Sequence, residues 1–517
     1  MSQMLQFSYL HVLLTTFLFL FPPLILWRRS KAKAQNSKLP PGPWKLPIIG
    51  NLHQLALGGS LPHYSLRDLA QKYGPIIQLQ LGEVLAILVS SPEAAKEVLQ
   101  THDLVFAQRP HTLAMEVISY DHPGIISSPY GEYWRQMRKI CVLELLSTKR
   151  VQSFKSVREA ETWSMIESIY SSHGVTINLS KTIFSMTNSV VSRAAFGKKC
   201  RGQEEFVSTL NELVKYGTGL DIADLFPSLK FIGVLTGMRP ALVRLYKRLD
   251  KTLDDIINEH IMKAKEASIR NEFDEPQEED LVDVLLRLQE SNELKFEVTT
   301  NHIKGVILDI FAAGGETGAA TLEWAMAELL KNPGVMEKAQ EEVRKVLRGK
   351  AKVEESDISK LDYLKSVVKE TLRLHPPAPL SAREAREKCE IFGYEVAYKT
   401  KVIINLWALG RDSKHWKNAE CFQPERFDGS SMDFIGTNFE YIPFGAGRRV
   451  CPGISFGVSN IELALAQLLY HFDWKLANGA KLEDLDLTEI FSATNRIKNN
   501  LLLIASPFVP LLDKKTH

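Results

Sequence analysis

The sequence predicts a mostly α-helical protein with a minor β region, built as a single large domain behind an N-terminal transmembrane helix. Three observations carry this reading. Long stretches repeat their apolar residues with a helical period. Alternating, strand-type runs are short and few. No linker, internal repeat or low-complexity tract divides the body. Length alone, 517 residues, would allow two or three domains, so it is the undivided body that argues for one. A net charge of +2 offers no polyanion-binding surface, and no nucleic-acid partner is expected. The five cysteines (Cys141, Cys200, Cys389, Cys421 and Cys451) contain no CxxC pair. That argues against a disulfide framework or a zinc cluster and fits a reducing compartment.

Taken in order, residues 7–27 carry no Asp, Glu, Lys or Arg and are long enough to span a bilayer, with Pro22-Pro23 bending the end. Arg28, Arg29, Lys31 and Lys33 follow at once. The positive-inside rule keeps them cytosolic and places the N-terminus in the lumen. No basic segment precedes the apolar run and no small-x-small site ends it, so an uncleaved anchor is expected rather than a signal peptide. Residues 28–50 form a basic and Pro-rich hinge, in which Lys38-Leu-Pro-Pro-Gly-Pro-Trp44 is a stiff extended spacer. Residues 51–517 form the large domain.

Within that domain, residues 74–90 alternate apolar and polar around a Gly-Glu turn and predict a β-hairpin. Helical periodicity predicts helices over Pro92–Thr101, Gly131–Leu146, Val151–Ser172, Ala241–Ala267, Glu279–Ser291, Thr299–Lys331 and Leu361–His375. Strand-type runs recur at Glu390–Ile404 and Asn499–Ala505, and the acidic segment Asn271–Asp280 is expected as a solvated loop.

The stretch Phe444-Gly-Ala-Gly-Arg-Arg-Val-Cys-Pro-Gly453 places one cysteine among Gly445, Gly447 and Gly453, ahead of the apolar run Ile454–Leu469. Glycines let a backbone fold tightly and come close to a flat partner. The helix that follows directs N–H groups and a positive dipole end toward the sulfur, and Arg449 adds a guanidinium beside it. All three favour a thiolate at Cys451 able to ligate an iron. A second feature lies in Thr299–Lys331, whose centre reads Ala313-Gly314-Gly315-Glu316-Thr317-Gly318. Each mid-helix glycine costs roughly 1 kcal/mol relative to alanine. Such a cost is retained where something must approach the backbone or where the helix bends. Thr317 can bond back to the i−4 carbonyl and distort the turn.

The pattern Phe444-x-x-Gly447-x-Arg449-x-Cys451-x-Gly453 resembles the haem-binding loop of the cytochrome P450s, and other motifs extend the resemblance from residue 40 to the C-terminus. It implies a cytochrome P450 fold with a single large haem domain, holding heme b through an axial thiolate from Cys451. The segment around Glu316 and Thr317 resembles the family's oxygen-activating motif. Thr317 would then hold dioxygen and a water, and Glu316 would help relay protons. Gly318 stands where that motif has a second hydroxyl. Glu370-x-x-Arg373 with Arg426 of Pro424-Glu-Arg-Phe427 resembles the family's structural triad. Trp134, Arg138, Arg383 and Arg449 are implied as partners of the haem propionates. The distal pocket would be lined by Phe106–Ile126, Ile307–Thr317 and loops around Ala378–Ala382 and Phe491–Thr494.

With no Gly-x-Gly-x-x-Gly motif after a strand, electrons are expected from a separate NADPH-cytochrome P450 reductase, meeting Arg135, Lys139 and Arg448. The resemblance is to the plant microsomal group of specialised metabolism and, within it, to terpenoid oxidases. It implies an O2-dependent monooxygenase acting on a hydrophobic small molecule, a diterpene or sesquiterpene. The location implied is the endoplasmic reticulum membrane, single-pass, with the catalytic domain facing the cytosol. Two other readings stay open: a hydroperoxide isomerase or dehydratase on the same fold, and phenolic or alkaloid substrates.

Overall fold

The computed structural model describes residues 38–56, 61–118, 124–198, 203–216, 221–270, 279–291, 296–490 and 492–509. The anchor expected over 7–27 lies outside the described residues. No described helix is long and apolar enough to cross a membrane.

Helix α1 (Pro62–Tyr73) leads into β1 (Ile76–Leu81) and β2 (Val84–Val89), the expected hairpin, paired from Ile76↔Val89 to Leu81↔Val84. The helix expected over 131–146 begins as α2 (Glu132–Ile140) and widens into a π-helical turn, Cys141–Leu145. The expected 151–172 helix is interrupted at Phe154, where a short helix gives way to α3 (Lys155–Ser171). Strand β3 (Thr176–Asn178) ends in Asn178, whose side chain caps α4 (Leu179–Phe196) by accepting from Lys181 N at 2.9 Å.

Helices α5 (Met238–Arg270) and α6 (Leu281–Glu290) follow. The solvated loop expected over Asn271–Asp280 needs correcting at its end. Asp280 is buried, caps α6 through Val282 N and Asp283 N at 2.9 Å, and meets His260 Nε2 at 2.9 Å. Then come the long α7 (Thr300–Lys331) and α8 (Asp362–Leu374). Chain order continues with β4 (Leu380–Glu384), β5 (Lys401–Asn405), α9 (Ile454–His471), β6 (Phe472–Leu476) and β7 (Leu502–Pro507).

The strands form a four-stranded sheet in the order β1-β2-β5-β4 and a three-stranded sheet in the order β3-β7-β6. The segment expected as a loop around Ala378–Ala382 is therefore partly strand, because β4 pairs with β5 from Leu380↔Asn405 to Glu384↔Lys401. Helix α7 is the axis of the molecule: every residue from Gly318 to Leu330 is buried. It stays unbroken through its glycines. Of the two reasons for keeping them, close approach applies at Gly314 and Gly315. A Cβ on Gly314 would meet Val191 Cγ2 at 3.2 Å, and one on Gly315 would overlap Asn188 Oδ1, both from α4.

Candidate active site

The cysteine loop forms the floor of a cavity of about 370 Å³. Cys451 N donates to Phe444 O at 3.0 Å, closing the loop, and Phe444 stands edge-on to Phe434 with ring centroids 5.4 Å apart. Gly447 has φ 68°, and a Cβ there would overlap Leu99 O and lie 2.6 Å from Asp103 Oδ1, so only glycine fits. Gly453 has an ordinary φ of −94°, and the one atom that a Cβ would approach is the Cys451 sulfur, at 3.9 Å. Burial pushes the Cys451 thiol up, opposed by the Gly453 N–H and by the charge of Arg138. The sequence reading assigned that charge to Arg449, and the structure corrects it.

From another side, α7 presents Ala313, Gly314, Thr317 and Gly318 to the same cavity as Cys451. Thr317 Oγ1 donates back to Ala313 O at 2.5 Å, as expected from the sequence. Glu316 points elsewhere, bonding Thr494 and lying under the influence of Arg496 and Lys215, with burial raising its pKa. Thr317 and Glu316 are thus neighbours in sequence that face different sides of α7. The remaining walls come from Ile125, Ile126, Ile310, Ala378 and Leu380, mostly as the sequence implied. Thr494 is not a wall residue, and Phe491 lies outside the described residues.

Four arginines converge on the cavity: Arg109, Arg138, Arg383 and Arg449. Arg449 donates to Ala107 O, Ile125 O and Ser128 O at 2.8, 3.0 and 2.6 Å. Arg383 bonds Ser381 Oγ at 2.9 Å, Arg109 bonds Ala382 O at 2.8 Å, and Arg138 bonds Val450 O. Among the described residues none of the four makes an ion pair with a carboxylate. Burial, then mutual repulsion, brings Arg109 down to about 10 and Arg449 to about 9, and pushes Arg383 far below its ordinary value. Four arginines gathered around one cavity against a single lining carboxyl, Asp309, are costly, so this cluster calls for an anionic guest. A haem, with two propionates at its edge, fits between these arginines, the sulfur and Thr317. Trp134 sits behind the cluster: its Nε1 donates to Ile125 O at 2.9 Å and Arg449 stacks over its ring at 4.2 Å.

Sequence reasoning did not single out Arg109, although it lies within the Phe106–Ile126 segment and precedes Pro110. It also missed Asp309, the one charged residue between Gly305 and Ala313 on a buried helix. That isolation was a readable signal.

Away from the cavity, Glu370 and Arg373 form a bidentate pair at 2.7 and 2.8 Å, and Arg426 Nε joins at 3.0 Å. Arg373 also donates to the carbonyls of Gly410, Ala419 and Cys421, knitting the loop after β5 to α8. Of the three surface cations expected to meet a partner, Arg135 is already paired with Glu132 and Arg448 with Asp103, while Lys139 is exposed.

Comparison with known proteins agrees with this geometry. Residues 40–503 match the family model "Cytochrome P450". Melianol synthase of Citrus sinensis is 56% identical over 510 residues, covering 98% of each chain. Premnaspirodiene oxygenase of Hyoscyamus muticus is 50% identical over 499 residues, covering 96% of this chain and 98% of its own. A solved zebra fish cytochrome P450 with progesterone superposes with TM-score 0.72 at 24% identity, over 87% of this chain and 100% of that one. With a cysteine, a threonine and four arginines lining one cavity and the family model matched over residues 40–503, the chain belongs to the cytochrome P450 family of monooxygenases.

Proposed function

We propose that this chain hydroxylates or epoxidises a terpenoid, a sesquiterpene or diterpene, using O2 and electrons from NADPH through a separate reductase. The observation that carries the reading is the cavity itself: largely apolar walls that also hold Cys451, Thr317 and four arginines. Apolar walls select a guest by shape and burial, at about 25 cal/mol per Å² of apolar surface. The terpenoid class rests on the relatives that act on terpenoids, melianol synthase and premnaspirodiene oxygenase.

Heme b, ligated by Cys451 Sγ, would supply the activation of O2 that puts one oxygen atom into a C–H or C=C bond, the other leaving as water. The protein's own residues do the rest. Arg109, Arg138, Arg383 and Arg449 hold the propionates. Ile125, Ile126, Ile310 and Leu380 exclude bulk water and orient the substrate. Thr317 Oγ1, bonded to Ala313 O, keeps its lone pairs for a proton passing across the cavity. Glu316, on the outer side of α7, takes protons from the Thr494 and Arg496 side. Lys139 and its neighbours receive the reductase, and residues 7–27 fix the enzyme in the endoplasmic reticulum membrane with its body in the cytosol.

The test is reconstitution with a reductase against a panel of sesquiterpenes and diterpenes, read by mass spectrometry. Oxygenated product that requires both NADPH and reductase is expected. Conversion of a hydroperoxide without reductant, with no terpene oxidised, would overturn the reading. Cys451→Ser should abolish the reduced carbon-monoxide band of thiolate ligation.

A further inference from the structure

The loop Gly124–Ser128 is gripped from two opposite sides. On its N–H side, Ile126 N donates to Asp309 Oδ2 on α7 at 2.9 Å. On its carbonyl side, Ile125 O accepts from both Trp134 Nε1 and Arg449 Nη1, and Ser128 O accepts from Arg449 Nη2 at 2.6 Å. The approach to α7 is as close as a backbone allows. A Cβ on Gly124 would overlap Asp309 Oδ2 and stand 2.6 Å from Gly305 O. Ile125 and Ile126 are cavity walls, and Asp309 also lines the cavity.

We propose that Asp309 is a positioning residue, whose carboxylate fastens the loop 124–128 to α7 and so fixes both one wall of the substrate cavity and the seat of Arg449. A carboxylate accepting from backbone N–H makes a charge-assisted bond, roughly twice as strong as a neutral one. The alternative for so isolated an acid is to serve as a proton donor. Its bonding argues against that: the oxygen facing the loop is occupied, while the Thr317 hydroxyl is bonded to Ala313 O and not to Asp309. Burial nonetheless holds the carboxyl high, at about 7, against the pull of the Ile125 and Ile126 N–H groups and of Arg449. Around it stand Tyr133 and Cys141, whose own pKa values the Asp309 charge helps to raise. An acid kept in such a place at a cost in solvation is accounted for by the loop it holds.

The inference rests on the reading of this cavity as the space above a haem, and its test separates the two. Asp309→Ala removes the acceptor on the helix side and Gly124→Ala crowds the tether from the loop side, each measured in the haem-loaded full chain. Amide hydrogen exchange at Ile126 should quicken by about tenfold or more in both variants, a readout that needs neither substrate nor turnover. Two azole probes then distinguish a cavity wall from general weakening. Imidazole needs only the iron, whereas the bulky clotrimazole also needs the wall. The ratio of their spectroscopic Kd values should shift by about tenfold in both variants, with the thiolate carbon-monoxide band kept. Unchanged exchange at Ile126, or an unchanged Kd ratio in variants that keep their haem, would overturn the proposal. A wild-type protein giving no azole shift at all would instead sink the haem reading itself.

Discussion

Thr317 is the residue on which turnover efficiency should depend. Its hydroxyl faces the cavity and is held by Ala313 O, so it can be removed without disturbing the floor or the arginine rim. Thr317→Ala should keep haem and the substrate-induced spectrum. Product formed per NADPH consumed should fall by about tenfold or more, the scale of a lost proton-transfer contribution. An unchanged coupling ratio would show the hydroxyl to be dispensable. Gly318, next along the helix, lacks the hydroxyl that the family's motif supplies. A Cβ there would meet no protein atom within 4 Å, on a helix face that lines the cavity. Gly318→Ala should therefore stabilise the haem-free protein by about 1 kcal/mol through helix propensity alone. A rise in Tm of the haem-free protein is the measurement that checks it.

Between elements, α4 against α7 gives the opposite outcome for what looks like the same substitution. Gly315 lies under Asn188, which cannot swing away freely because its Nδ2 donates to Phe184 O at 2.7 Å. Gly315→Ala should cost about 1–3 kcal/mol through overpacking, read as a fall in the denaturation midpoint, while its neighbour three residues on gains. The triad of Glu370, Arg373 and Arg426 is the other inter-element tie. Glu370 and Arg373 are fully buried, so Glu370→Gln would leave Arg373 as an uncompensated charge at a cost of about 3–5 kcal/mol. Loss of bound haem at moderate denaturant should accompany it.

These elements also mark what could be read from the chain. The hairpin of β1 and β2 was legible because its alternation and turn are local, and α7 because its period is long and unbroken. Strand β4 was not, since its alternation, Leu-Ser-Ala-Arg, runs for only four residues and its partner β5 lies some twenty residues on. Cys451 and Thr317 were legible from motif spacing. The contacts of Arg449 were not, since Ala107, Ile125 and Ser128 lie over three hundred residues away and offer only backbone carbonyls, which carry no sequence signature.

At the scale of the whole molecule, buried polar groups hold the far ends of the chain together. His63 of α1 meets Glu489 at 2.8 Å near the C-terminus, and His375 at the end of α8 meets Glu328 of α7 at 2.8 Å. His471 stands apart from these two histidines, each of which bonds a carboxylate through one ring nitrogen. It ends α9 fully buried, neither ring nitrogen has a hydrogen-bond partner among the described residues, and its ring meets those of Trp163, Tyr470 and Phe472. Burial lowers its pKa from the ordinary 6.5 to about 4. The folded protein thus refuses a proton that the unfolded chain accepts over that interval. Its contribution to stability is complete above pH 6.5 and is lost as pH falls toward 4. A displacement of this size amounts to about 3 kcal/mol across the window. Carboxylates titrate in the same range, so the wild type alone cannot isolate the effect, but a non-titrating variant can. Denaturant unfolding of wild type and His471→Gln, followed from pH 7 to pH 4, should show the stability difference between them closing or reversing by about 3 kcal/mol. A difference that stays flat with pH would mean that water or a partner reaches the imidazole and that His471 carries no such penalty.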